Sequence, residues 1–343
     1  MKKIAKAKLQ DLWRHLSEEA ALYLPAGSDG VVDFARWQED LAVDLGELNV
    51  CVPPKKFFYP QTETVLKYEI GDDLQLVDFS GHAGERAILF GVRPCDVASF
   101  SMMDKVYLGD PADEAYRRRR ENTCVIALGC QEPEETCFCL TFDIDPGKAP
   151  GADILATDTG EEVVLVAQSP KGEELLATLN GLLLEATSGD EIKVKDAQEQ
   201  AKEGYVTHVS VRGLMEKLDG MFTDAYWNRL YRRCIACGTC TYLCPTCHCF
   251  DLQEYATGNC GERIRCWDTC MAADFTQMAG GHNPRPTQKE RVRQRFMHKL
   301  NYFPRQHGGE YACVGCGRCV RKCPVNLDIL EVIREVGGAA DGQ

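Results

Sequence analysis

Apolar positions in the first 200 residues alternate between helical and strand periods. Leu9, Leu12, Trp13 and Leu16 recur at i, i+3, i+4 and i+7 and predict an amphipathic helix. Phe34, Trp37, Leu41 and Leu45 predict a second. Near-continuous apolar runs at Ala87–Val92 and Cys124–Leu128, with a shorter one at Val163–Ala167, predict strands. The first two read as strands buried on both faces of a parallel sheet. A helical pattern from Asp96 to about Val106 separates them, so strand, helix and strand form a crossover unit of an α/β layer. The segment 186–204 is polar and charged, with a turn signal at Ser188–Asp190, and reads as surface chain before a boundary near 205. Beyond it the pattern is helical, with a long amphipathic stretch over Val211–Tyr231 and a basic helix over Gln288–Leu300. No stretch there shows strand alternation. The expected fold is an α/β domain over 1–205, with an open, mostly parallel sheet, followed by an α-helical ferredoxin-like domain over 206–343.

The chain has 343 residues, 44% apolar and 27% charged, an ordinary globular balance that excludes disorder. Its net charge of −13 argues against nucleic acid as a partner. The charge is uneven: 205–343 carries 18 Lys/Arg against 14 Asp/Glu, and 1–204 carries 21 against 38. No signal peptide and no transmembrane segment is read from the sequence, which points to the cytoplasm. There, 19 cysteines imply metal or redox chemistry rather than disulfides. Six of them precede 205 and thirteen follow it.

Cys234, Cys237, Cys240 and Cys244 follow C-x2-C-x2-C-x3-C, closed by Pro245. Cys313, Cys316, Cys319 and Cys323 repeat the spacing, closed by Pro324. Such runs hold [4Fe–4S] clusters: steps of three residues wrap a loop so that three thiolates converge on one small body. The fourth cysteine of each run serves the other cluster. Cys234, Cys237, Cys240 and Cys323 therefore make one set, and Cys244, Cys313, Cys316 and Cys319 the other. Four thiolates also suit zinc, but zinc knuckles pair C-x2-C units without a closing proline. The 68 residues between the runs exceed the linker of a compact β-type ferredoxin and favour a helical arrangement.

A third set is expected in the first domain. Cys95 and Cys130 follow the strands ending at Val92 and about Gly129, at the sheet edge where α/β folds place ligands. Cys137 and Cys139 lie in a loop able to fold over that edge. Together they are read as ligands of a third [4Fe–4S] cluster, with Cys95 near a helix start that favours thiolate. Cys51 and Cys124 read as packing residues. Cys247 and Cys249 read as alternative ligands or as neighbours tuning a cluster. Cys266 and Cys270, at i and i+4, read as one helical face, and Cys260 has no cluster spacing. His248 and His282 read as structural. The basic run Arg285–Lys299 reads either as a solvated face or as a counterweight to clusters or an acidic partner. No G-x-G-x-x-G or P-loop is present, so no flavin is assigned to this chain.

The motifs PPKKFF (Pro53–Phe58), GVRPCD (Gly91–Asp96), CFC (Cys137–Cys139), CPTCHC (Cys244–Cys249), WDTC (Trp267–Cys270), GGHNPRPT (Gly280–Thr287) and CVGCGRC (Cys313–Cys319) occur together. With them the chain resembles the iron–sulfur beta subunits of soluble sulfhydrogenases and the A subunit of anaerobic sulfite reductase. The resemblance implies a non-catalytic electron-transfer subunit of an anaerobic oxidoreductase complex. It would link an FAD/NAD(P)H-binding reductase-type subunit to a terminal hydrogenase, sulfite reductase or heterodisulfide-reductase-type unit. The competing expectation is a catalytic chain whose N-terminal cluster itself reduces a sulfur species or disulfide.

Overall fold

The computed structural model describes residues 1–28, 30–78 and 85–337. Twelve strands form two sheets among the described residues. β1 (Lys2–Ala5), β2 (Ala21–Ser28), β3 (Val31–Arg36), β6 (Ala87–Val92), β7 (Thr123–Leu128), β8 (Ile154–Asp158), β9 (Glu162–Ala167) and β10 (Leu184–Glu185) build the larger one. Its order is β10-β1-β9-β8-β7-β6-β2-β3. Pairing is parallel only among β2, β6, β7 and β8, and antiparallel strands flank them on both sides, so the sheet is mixed rather than mostly parallel. β6 and β7 are almost wholly buried, as their apolar runs predict.

The two faces bury separate cores. One holds Leu12, Trp13 and Leu16 of α1 (Leu9–Glu19) with Ile88, Phe90 and Ile126. The other holds Val97, Phe100 and Met103 of α2 (Pro94–Tyr107) with Leu89, Val125 and Tyr116. Tyr116 lies on α3 (Glu114–Asn122), and α4 (Pro170–Thr178) packs beside β9.

Several expectations are corrected. Phe34 lies in β3, not in a helix; Val31 and Val32 open a strand whose register with β2 runs from Tyr23↔Arg36 to Ser28↔Val31. The polar stretch before 205 is helix α5 (Ser188–Glu203), and its turn signal is the helix start, where Thr187 and Asp190 form a capping box. Val211–Tyr231 breaks into α6 (Leu214–Asp219) and α7 (Tyr226–Leu230).

The remaining chain is not purely helical. After α8 (Thr239–Tyr242) comes a hairpin of β11 (Phe250–Thr257) and β12 (Cys260–Trp267). β12 pairs with β4 (Thr62–Ile70), and β4 with β5 (Leu74–Asp78), so one four-stranded antiparallel sheet draws strands from both halves. Its anchor is charged: buried Glu63 takes Arg119 at 2.6 Å and Arg265 at 2.5 Å, and Arg265 also pairs with Asp113. Cys266 sits inside β12 and Cys270 beyond it, so they share no helical face.

α9 (Gln288–Met297) continues through a π turn at His298–Tyr302 into α10 (Phe303–Gln306). With α6, α7 and α12 (Ile329–Val332) it encloses a third core of Leu214, Trp227, Phe296 and Leu330. Phe138, from the first half, is buried inside this core at 1% exposure. The halves are also joined by α11 (Arg318–Arg321): Arg318 makes a bidentate pair with Asp96 at 2.6 and 2.7 Å, both side chains almost inaccessible.

Candidate functional site

The two cysteine runs fold alike. Ala236 and Gly238 in one, and Gly315 and Gly317 in the other, take positive φ, and each loop then enters one turn of helix, α8 or α11. Left-handed residues curl each loop so that its first three sulfurs face inward. Cys234, Cys237 and Cys240 line one pocket, and the fourth cysteine on its wall is Cys323, from the other run. Cys244 in turn lies among Cys313, Cys316 and Cys319, each of which feels its charge. Burial pushes the Cys313 thiol up to about 12 and Cys316 to about 11.

A second pocket is lined by Cys95, Cys130, Cys137 and Cys139, with Cys316 on the same wall. Cys95 enters from the first turn of α2, Cys130 from the end of β7, and Cys137 and Cys139 from the connection to β8. The Phe138 N–H bonds Gly315 O at 2.8 Å and pins this connection to the second run. A Cβ on Gly315 would stand 2.4 Å from the Phe138 carbonyl, and one on Gly317 2.5 Å from Thr136 O, so these glycines are required by close approach. The expected thiolate at Cys95 is not favoured by the helix start: burial dominates and raises its pKa well above the ordinary value.

Buried cations face these sulfurs. Lys299, placed by the π turn, donates to Cys244 Sγ at 3.3 Å, Thr246 Oγ1 at 2.8 Å and Ala312 O at 2.9 Å. Burial opposes its charge, but the Cys244, Cys247 and Cys313 sulfurs outweigh burial and hold it protonated. Arg295, one turn earlier, is 4% exposed; its Nε and Nη1 have no protein partner, and it lines the pocket of Cys234, Cys237, Cys240 and Cys323. Arg93 lines the Cys95 pocket with its Nε likewise unpartnered. Buried N–H groups without acceptors are costly, and the sulfides of a cluster are acceptors of the needed kind. The residues present thus fit iron–sulfur clusters. Among the described residues, no three His, Cys, Asp or Glu side chains form a group suited to a single metal ion.

Backbone and hydroxyl donors complete the setting. The Ala236 N–H reaches Cys234 Sγ at 3.4 Å, the Leu327 N–H reaches Cys323 Sγ at 3.3 Å, and Tyr205 Oη lies 2.8 Å from Cys139 Sγ. The basic run 285–299 therefore splits: Arg295 and Lys299 turn inward, whereas Arg293 lies against the Phe222 ring at 3.7 Å. Cys124 is buried in β7, Cys51 is half-buried and Cys260 is exposed on β12. His248 is held neutral, its pKa lowered to about 4 by burial, and His282 is exposed. Sequence reasoning did not find Arg93, Arg295 or Lys299 as individual partners of the sulfurs. The i, i+4 spacing of Arg295 and Lys299 was the available signal, masked by neighbouring arginines that point elsewhere.

A cleft of about 1060 Å³ runs along the carboxyl edge of the parallel strands, over Leu128, Gly129 and Asp158, and shares Leu48, Arg93 and Pro133 with the Cys95 pocket. Among the described residues no helix is long and apolar enough to cross a membrane.

Two crossed cysteine runs in a helical frame define a class, and the family model that matches residues 233–327 is a 4Fe-4S dicluster domain. Among curated proteins, the sulfhydrogenase 2 subunit beta of Pyrococcus furiosus is 31% identical over 327 residues, 95% of each chain. The chain belongs to the sulfhydrogenase beta subunit family, as an iron–sulfur electron-transfer subunit of an oxidoreductase. No solved structure matches it.

Proposed function

We propose that this chain is an electron relay carrying three [4Fe–4S] clusters. Cys234, Cys237, Cys240 and Cys323 hold the first, Cys244, Cys313, Cys316 and Cys319 the second, and Cys95, Cys130, Cys137 and Cys139 the third. The observation that carries this reading is the shared walls. Cys316 belongs to the middle set yet lines the Cys95 pocket. Arg295 lines the first pocket yet is held charged by sulfurs of both ferredoxin sets, Cys240, Cys319 and Cys244 among them, against the opposing effect of burial. Three one-electron centres in such contact make a continuous conductor rather than separate sites. The clusters supply the redox chemistry. The chain's own residues position the thiolates, exclude water and stabilise negative charge through Lys299, Arg295 and Arg93.

A relay needs a partner at each end: an FAD/NAD(P)H-binding subunit as the two-electron side, with the flavin on that subunit, and a terminal catalytic unit on the other. The cleft shares Leu48, Arg93 and Pro133 with the pocket of the third set and so runs beside it. That adjacency favours the second reading, in which the third cluster reduces a sulfur species itself.

Iron and acid-labile sulfide per chain, measured on protein prepared without oxygen, test the count. The relay as drawn requires about twelve irons, falling to about eight in Cys137→Ser/Cys139→Ser. Eight irons in both proteins would remove the third cluster, and bound zinc in place of iron would overturn the whole reading. Polysulfide reduction by the isolated chain with a chemical donor would favour the second reading over the first.

A further inference from the structure

Seven cysteines lie outside the three sets, and two of them meet. β11 and β12 pair without slippage from Thr257↔Cys260 to Phe250↔Trp267, which fixes the open end of the hairpin. Cys249 is the residue before β11, and Cys270 stands three residues after β12. The Asp268 N–H bonds Cys249 O at 3.0 Å, and Tyr59 Oη donates to the same carbonyl at 3.1 Å, so both strand extensions are held side by side. The Cys249 and Cys270 side chains are neighbours here, each perturbing the other's titration most strongly. Both residues are half-buried. The contact with Cys270 is the main cause that brings the Cys249 thiol down to about 7, with Lys299 and Lys55 adding to it, and the same contact raises Cys270.

Two neighbouring thiols on backbone already held by cross-strand bonds are placed to form and break a disulfide. Cys270 also feels the charge of Cys240, a residue of the first cluster set.

We propose that Cys249 and Cys270 form a dithiol–disulfide couple beside the iron–sulfur chain, a two-electron store next to one-electron carriers. Oxidation breaks two S–H bonds, forms one S–S bond, and releases two protons and two electrons. Reduction takes two electrons, one at a time, from an iron–sulfur donor, with two protons from solvent. The donor assignment rests on the relay reading above; the couple itself does not.

The test uses the full chain prepared without oxygen. Samples are poised with dithionite or with glutathione disulfide, quenched in acid, alkylated with iodoacetamide after return to mildly alkaline denaturant, and mapped by mass spectrometry. The expected result is a Cys249–Cys270 linked peptide in the oxidised sample and two alkylated cysteines in the reduced one. A titration against the glutathione couple should follow a two-electron curve, with a tenfold ratio change per about 30 mV. Cys249→Ser and Cys270→Ser should each abolish the linked peptide and keep the wild-type iron content. Two alkylatable thiols under both conditions would overturn the proposal. So would loss of iron in either variant, which would make these residues cluster ligands. Absence of iron from the wild type, with the linked peptide still forming, would overturn the relay and leave the couple standing.

Discussion

Replacing Lys299 with Met removes a buried positive charge and keeps its aliphatic stem. In the native chain that charge lies 3.3 Å from Cys244 Sγ. An electron entering the cluster proposed on Cys244, Cys313, Cys316 and Cys319 would add negative charge at those sulfurs, so a neighbouring cation would favour the reduced form. Two unit charges at that separation interact by about 5 kcal/mol at an effective dielectric constant of about 20. If the electron spreads evenly over four corners, about a quarter of it is felt here. That leaves about 1.3 kcal/mol, or about 55 mV for a one-electron couple. An EPR-monitored redox titration of wild type and Lys299→Met should show one midpoint lowered by about 55 mV and the others unmoved. Lys299→Arg, which keeps the charge, should recover most of the shift. Unchanged midpoints, or equal shifts in every cluster, would refute the reasoning.

Asp96→Asn leaves Arg318 buried without its counter-charge and should cost about 3–5 kcal/mol in urea unfolding, whereas Asp96→Leu with Arg318→Met should regain most of it. Gly315→Ala forces a methyl group against the Phe138 backbone and should lower iron by about four per chain through the Cys137–Cys139 loop, leaving the Cys234 set filled. Burial depresses His298 to about 3 and His248 to about 4, below the ordinary 6.5. The unfolded chain therefore takes up these protons first, and stability, complete above about pH 6.5, is lost as pH falls toward 4. His298→Phe, which fills the site without titrating, should move the acid-unfolding midpoint to lower pH.

Much of the site was legible because cluster spacing is a local property. The runs at Cys234 and Cys313 announce themselves, and β6 and β7 are long enough and apolar enough to predict where Cys95 and Cys130 emerge. What escaped was long-range. β11 is exposed at every residue, so no buried face imprints alternation on its sequence, and the pairing of its partner β12 with β4 is anchored by Glu63 meeting Arg265 across 202 residues. Phe34, Trp37, Leu41 and Leu45 keep a helical spacing across β3 and the loop after it, so periodicity alone points to the wrong element there. The inward turn of Arg295 and Lys299 depends on sulfurs contributed by both runs, which no window around the helix contains.

The burial of Phe138 bears on the order of assembly. Its two neighbours in sequence are cysteines of the Cys95 pocket, and its ring is enclosed by residues that include Leu214, Phe296 and Leu330. A ribosome that has just released the α/β half has therefore made all four cysteines of that pocket without the core that locks their loop. The pocket whose cysteines come first in sequence can be locked only after the segment that reaches Leu330 has emerged. Iron delivered to the proposed third set before then would meet an open loop.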